Sequence, residues 1–113
     1  DAQNENDYFT STALDRKEAR DEAIDVLKMV TESEESSAEA KAEAQAKISK
    51  IAVDIQNENN IETLVKAKGF EECVAVIADD SVCVIVKADE LMANQAAQIL
   101  MIVYTSVKIY HTV

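Results

Sequence analysis

Between Cys73 and Lys87 the chain reads CVAVIADDSVCVIVK, two apolar runs separated by Asp79-Asp80. A strand with one face in water alternates apolar with polar residues, but these runs are apolar at nearly every position. The stretch predicts a β-hairpin, over 73–78 and 82–87, whose sheet is covered on both faces. A two-residue turn at Asp79-Asp80 pairs Ala78 with Ser81, Val76 with Cys83 and Cys73 with Val86. One face then carries Val74, Val76, Cys83 and Ile85. The other carries Cys73, Ala75, Ile77, Val82, Val84 and Val86. Two kinds of cover are open for the second face: an N-terminal helix that wraps round the sheet, or another chain.

The same register decides what the two cysteines can do. With a two-residue turn they point to opposite faces. With a three-residue loop they share a face but lie roughly 13 Å apart along the ladder at ~3.3 Å per residue. A disulfide needs Cα atoms within about 7 Å, so neither register permits a bridge inside the hairpin. Both cysteines read as small apolar filler.

One Gly and no Pro in 113 residues predict long, uninterrupted elements. Residues 1–10 are polar and read as an N-terminal arm tethered through Tyr8 and Phe9. Residues 11–113 read as a single domain with an N-terminal helical extension. Thr12-x-x-Asp15 opens a first helix running to about Thr31, with Ala19, Ala23, Leu27 and Val30 inward and Ile24 and Val26 beside them. Ser36-x-x-Glu39 is a capping box for a second helix, whose Ile48, Ile51, Ala52 and Ile55 form an apolar stripe. NENN at 57–60 breaks the phase, so a kink or restart is expected before Ile61, Leu64 and Val65. Gly69 suits the left-handed residue that ends this helix, and Phe70 should pack back on it. Asp89 is the expected cap of a helix near 90–105, with Leu91, Ala96, Ile99, Leu100 and Val103 inward. VKIYHTV at 107–113 alternates as a closing strand.

The order of elements gives an α/β (α+β two-layer) fold: helices, then strand, strand, helix, strand. A right-handed crossover makes the second and third strands parallel. The first strand then sits between them in a three-stranded sheet, which leaves the closing strand at an edge. Its unpaired backbone groups invite strand addition by a partner. Lys108, Tyr110 and Thr112 on its outward side, with Val84 and Val86 of the hairpin, are the candidate partner interface.

Little else carries chemistry. A single Gly excludes phosphate-binding and dinucleotide loops. His111, the one histidine, falls on the inward face of the closing strand and reads as a core or rim imidazole. Asp79-Asp80 supplies too few carboxylates for a calcium loop. Glu34-Glu35 and Glu71-Glu72 read as solvated charge, and Arg16, Lys17 and Arg20 as a salt-bridged surface strip. No cofactor or metal is expected. The alternative is a small acidic enzyme or ligand carrier that uses Cys73, Cys83 or His111. An enzyme would bring those side chains together in a cleft, a carrier would open an apolar pocket between sheet and helices, and a scaffold would bury them.

The net charge of −11 opposes binding to nucleic acid and to anionic membranes. No apolar run approaches the ~20 residues of a membrane helix, and the opening DAQNENDYFTS has no initiator Met, as an excised fragment would.

The segments DYFTSTALDRKEARDEAIDVLKMV and NNIETLVKAKGFEECVAVI, together with the hairpin and tail, resemble the extracytoplasmic domain of the stage III sporulation protein AH family. That resemblance implies a mother-cell membrane protein of a sporulating bacterium, whose ectodomain lies between the mother-cell and forespore membranes. It implies a fold like the ring-building motif of type III secretion and flagellar inner-membrane rings. It also implies stage II sporulation protein Q as a partner, a channel, a homo- or hetero-oligomeric ring, and no catalytic residues. The membrane anchor of such a protein is absent from this chain.

Overall fold

A computed structural model describes residues 2–79 and 81–107. Three helices and one hairpin make up the described chain: α1 (Ala2–Glu32), α2 (Ala38–Ala67), β1 (Cys73–Ala78), β2 (Ser81–Val86) and α3 (Ala93–Val107). The architecture is α+β with a two-stranded antiparallel sheet. α1 starts ahead of the capping pattern at Thr12, so residues 2–10, expected as an arm, are helical. Phe9 is buried and Tyr8 exposed; their rings meet edge to face at 5.7 Å. Lys87 fastens these first turns to the hairpin, with Nζ 3.3 Å from Asn6 Oδ1, 3.6 Å from Glu5 and 3.2 Å from Glu71.

The inward line of α1 runs through Phe9, Ala13, Arg16, Arg20, Ile24 and Leu27, while Ala19 and Ala23 are exposed. Of the expected stripe, Leu27 and Val30 are half-buried, but Ala19 and Ala23 give way to Arg16, Arg20 and Ile24, because the two arginines were set aside as surface. α2 begins one residue later than its capping box suggested: Ser37 is the N-cap, and its side chain accepts the Ala40 N–H at 3.0 Å. The helix then runs unbroken through 57–60. The expected phase break is absent because Glu58 continues the inward line, between half-buried Ile51 and fully buried Ile61 and Val65. Ile55 is at the margin, 37% exposed. Gly69 ends α2 as expected, with φ +109° and its N–H donating to Lys66 at 2.9 Å, and Phe70 is buried beside it.

The hairpin has the two-residue register: Cys73 opposite Val86, Val76 opposite Cys83, Ala78 opposite Ser81. Asp79 has φ +47°, the left-handed value required at the first position of a primed turn. Cys73, Ala75 and Ile77 form the core with Ile61, Val65 and Phe70 of the α2 end and Ile102 of α3. Val82, Val84, Val86, Ile99, Val103 and Val107 pack around it. One sheet face is therefore covered by α2 and α3 within the chain. On the other, Val74 is buried and lines a recess with Phe9 and Ala13, but Val76 and Ile85 are half-buried and Cys83 is exposed.

α3 starts later than expected. Its cap is Met92 rather than Asp89: the Met92 carbonyl accepts from Ala96, and its N–H donates to the Gln95 side chain at 2.8 Å. Leu91, Ala96 and Leu100 accordingly turn outward instead of inward. The expected third strand is not part of the described sheet. Val107 is the last residue of α3, and Lys108, Ile109, Tyr110, His111, Thr112 and Val113 lie outside the described residues. The middle place assigned to β1 is also corrected, since side chains occupy its outer edge.

Candidate functional site

In an antiparallel pair, alternate residues turn both backbone groups toward the partner strand. The Lys87 N–H donates to the Glu72 carbonyl at 3.1 Å, which sets the phase: Val74, Val76 and Ala78 face β2, while Ala75 and Ile77 face away. Four side chains meet those outward groups. The Ala75 N–H donates to Glu62 Oε2 at 2.8 Å, and the Ala75 carbonyl accepts from Arg16 Nη1. The Ile77 N–H donates to Glu58 Oε2 at 2.7 Å, and the Ile77 carbonyl accepts from Arg20 Nη2 at 3.2 Å. The four groups also pair with one another. Arg20 Nη1 donates to Glu58 Oε1 at 2.7 Å and Arg20 Nη2 to Glu58 Oε2; Arg16 donates to Glu62 at 2.8 Å and lies 3.5 Å from Glu58.

The match has a geometric cause. A helical i,i+4 step rises ~6 Å, and a strand advances ~6.6 Å over two residues. Arg16 and Arg20 on α1, and Glu58 and Glu62 on α2, therefore keep step with Ala75 and Ile77. The helices run antiparallel, so Arg16 meets Glu62 and Arg20 meets Glu58. Glu58 is 1% exposed, and the side chains of Arg16 and Arg20 are 17% and 14% exposed. The hydrogen bond to Glu58 raises the Arg20 pKa above its already high value, so its guanidinium stays charged in the clamp. Its effect is to give β1 the hydrogen bonds a third strand would supply, and to close that edge to any other chain.

The opposite edge differs. Val82, Val84 and Val86 turn their backbone groups away from β1, and no strand lies against them among the described residues. β2 contains no Lys, Pro or inward charge of the kind that blunts natural edges. The Val84 and Val86 side chains pack against the core and stay half-buried, while their backbone groups face outward. Lys108, Tyr110 and Thr112 are outside the described residues.

The two cysteines of the enzyme reading do not converge. Cys73 is buried, with its thiol pushed up to about 11 by desolvation, whereas Cys83 is exposed on the other face. His111 lies outside the described residues. Two recesses, of about 540 and 520 Å³, flank the clamp between α1 and α2. Arg16 and Arg20 line both, already engaged by Glu58, Glu62 and β1. No cluster of potential metal ligands occurs among the described residues, and none of their helices is long and apolar enough to cross a membrane. The clamp escaped the sequence reading, although a signal existed: two i,i+4 arginines on one helix and two i,i+4 glutamates on the next.

Fold and site define a class: a small α+β module with one sheet edge closed by charge and the other without a neighbouring strand among the described residues. The family model for SpoIIIAH-like proteins matches residues 1–112, and the chain belongs to that family. Stage III sporulation protein AH of Bacillus subtilis (strain 168) is 28% identical over 104 residues, which are 92% of this chain and 48% of that protein. The chain thus spans about half the length of the curated relative it matches. A solved chain from the SpoIIQ–SpoIIIAH pore forming complex superposes with TM-score 0.84 at 28% identity, covering 89% of this chain and 88% of that one.

Proposed function

We propose that this chain is a noncatalytic interaction module of a sporulation channel, binding a SpoIIQ-type forespore protein across the intermembrane space and assembling into a ring. The observation that carries the reading is the fold-wide similarity to a chain taken from a pore forming complex. It is supported by where the buried polar groups go: Glu58, Glu62, Arg16 and Arg20 serve the backbone of β1 and one another. The working location is the ectodomain side of a mother-cell membrane protein.

The heteromeric contact lies on the side of the sheet away from the clamp, at the outer edge of β2 and the closing residues Lys108, Tyr110 and Thr112. The support is the contrast between the two edges, since strand addition needs free backbone groups. Isothermal titration of the chain with the SpoIIQ ectodomain of the same organism tests the reading. A saturable complex is expected, weakened about tenfold or more by Tyr110→Ala, as for an aromatic anchor. The absence of any complex would remove the partner from the account.

A further inference from the structure

α3 contains no Asp, Glu, Lys or Arg across its 15 residues, in a chain that is 29% charged. Its inner side holds Ile99, Ile102 and Val103 against the core. Its outer side carries no charge and several exposed apolar side chains among neutral polar ones: Leu100 is 67% exposed, Met101 62% and Tyr104 59%, beside exposed Asn94, Gln98 and Thr105, and Leu91 and Met92 are exposed just ahead of it. Amphipathic surface helices place charge outward, and α1 and α2 do so, with exposed pairs such as Lys17–Asp21 and Lys47–Glu43. Loss of charge together with Met and aromatic exposure is the composition of an interface core.

The charge of the rest of the molecule says what meets this face. Each copy carries −11, so two copies that touch through α1 or α2 set carboxylates against carboxylates. Through α3 they meet with no charge opposing charge. A basic partner would instead be drawn to the acidic faces. We infer that the outer face of α3, centred on Leu100 and Met101, is the contact between neighbouring copies of this chain. The inference rests on the reading that the chain works in a multimer, and it uses a surface separate from the strand edge assigned to the heteromeric partner. A single helix face falls short of the ~1,600 Å² of a stable interface. The contact is therefore weak in solution and accumulates when copies are held side by side on a membrane.

Sedimentation equilibrium of the 113-residue chain, from micromolar to millimolar concentration, tests this. Self-association is expected, strengthened about threefold or more when salt is raised to about 1 M, where the Debye length falls to ~3 Å and like-charge repulsion is screened. Leu100→Glu and Met101→Glu should each abolish it with the circular dichroism spectrum unchanged. Met29→Glu, at an exposed apolar position of α1, should not. Titration of the same variants with the SpoIIQ ectodomain should give the parent's affinity. A chain that stays monomeric at millimolar concentration in both salts would overturn the inference, as would a Leu100→Glu variant that self-associates like the parent. So would a variant that keeps self-association and loses the heteromeric partner, because α3 would then belong to that partner.

Discussion

Glu58 divides two oxygens among three donors, both Arg20 nitrogens and the Ile77 N–H, at a position with 1% exposure. Removing one member of a buried ion pair leaves the other charged and undersolvated, at a cost of about 3–5 kcal/mol. Glu58→Ala should lose about that much in urea unfolding and leave the Ile77 N–H without its acceptor. Asp21→Ala breaks only the exposed pair with Lys17 and should leave the unfolding midpoint near the parent's. Equal midpoints for the two variants would show that the clamp contributes nothing.

Cys73 makes a second prediction at this scale. Burial raises its thiol from 9.0 to about 11, so between those values the unfolded chain ionises first. Its contribution is whole below about pH 9 and is lost as pH rises toward 11, with an upper size of about 3 kcal/mol. The fall in stability from pH 8 to 10.5 should be steeper for the parent than for Cys73→Ala. Parallel curves would place the thiol in water. Under native conditions at pH 8, a thiol reagent should modify Cys83 quickly and Cys73 only on unfolding.

At the scale of elements, the hairpin was legible to within two registers, and the structure has the two-residue one, since once the turn length is fixed a period of two leaves no freedom. Gly69 was legible because a lone glycine after an apolar helical turn has few other uses. Ala at that position must hold φ +109°, and Gly69→Ala should cost about 1 kcal/mol in thermal or urea unfolding. The line of α2 was legible at Ile61 and Val65 but not at Glu58, because an acid on an apolar stripe reads as a phase break unless its partners are known. Those partners are Arg20, on another helix, and the backbone of β1. The stripe also ranks its own positions: Ile61, fully buried, should cost about 2–5 kcal/mol on replacement by Ala, and half-buried Ile51 less. The reverse order would mean that the distal part of α2 holds the fold. α3 was legible at Ile99 and Val103 but not at Leu91, Ala96 and Leu100, because both of its sides carry large apolar residues and neither carries charge, so periodicity alone could not choose the inner one.

As a whole the molecule is a slab of 54 × 38 × 17 Å, thin enough that α1 and α2 extend well past a hairpin of six-residue strands. Its apolar core gathers where α2, α3 and the sheet meet, and the clamp joins α1 to it through charge. The resemblance carried by NNIETLVKAKGFEECVAVI was enough to reach the family from sequence, because that segment spans the α2 end, Gly69 and β1 together. The candidate site was less legible. Lys108, Tyr110 and Thr112 came from alternation alone, while Val84 and Val86 have half-buried side chains and backbone groups that face away from β1.

The central claim is that this is an interaction module whose sheet is sealed on the β1 side and receives its partner on the other. Hydrogen–deuterium exchange, measured on the chain alone and mixed with the SpoIIQ ectodomain, tests it most directly. The account predicts that the Ala75 and Ile77 amides exchange slowly in both states, held by Glu62 and Glu58. It predicts new protection in peptides covering 81–87 and 108–113. Fast exchange at Ala75 and Ile77 in the free chain, or protection gained only along α1 and β1, would contradict it.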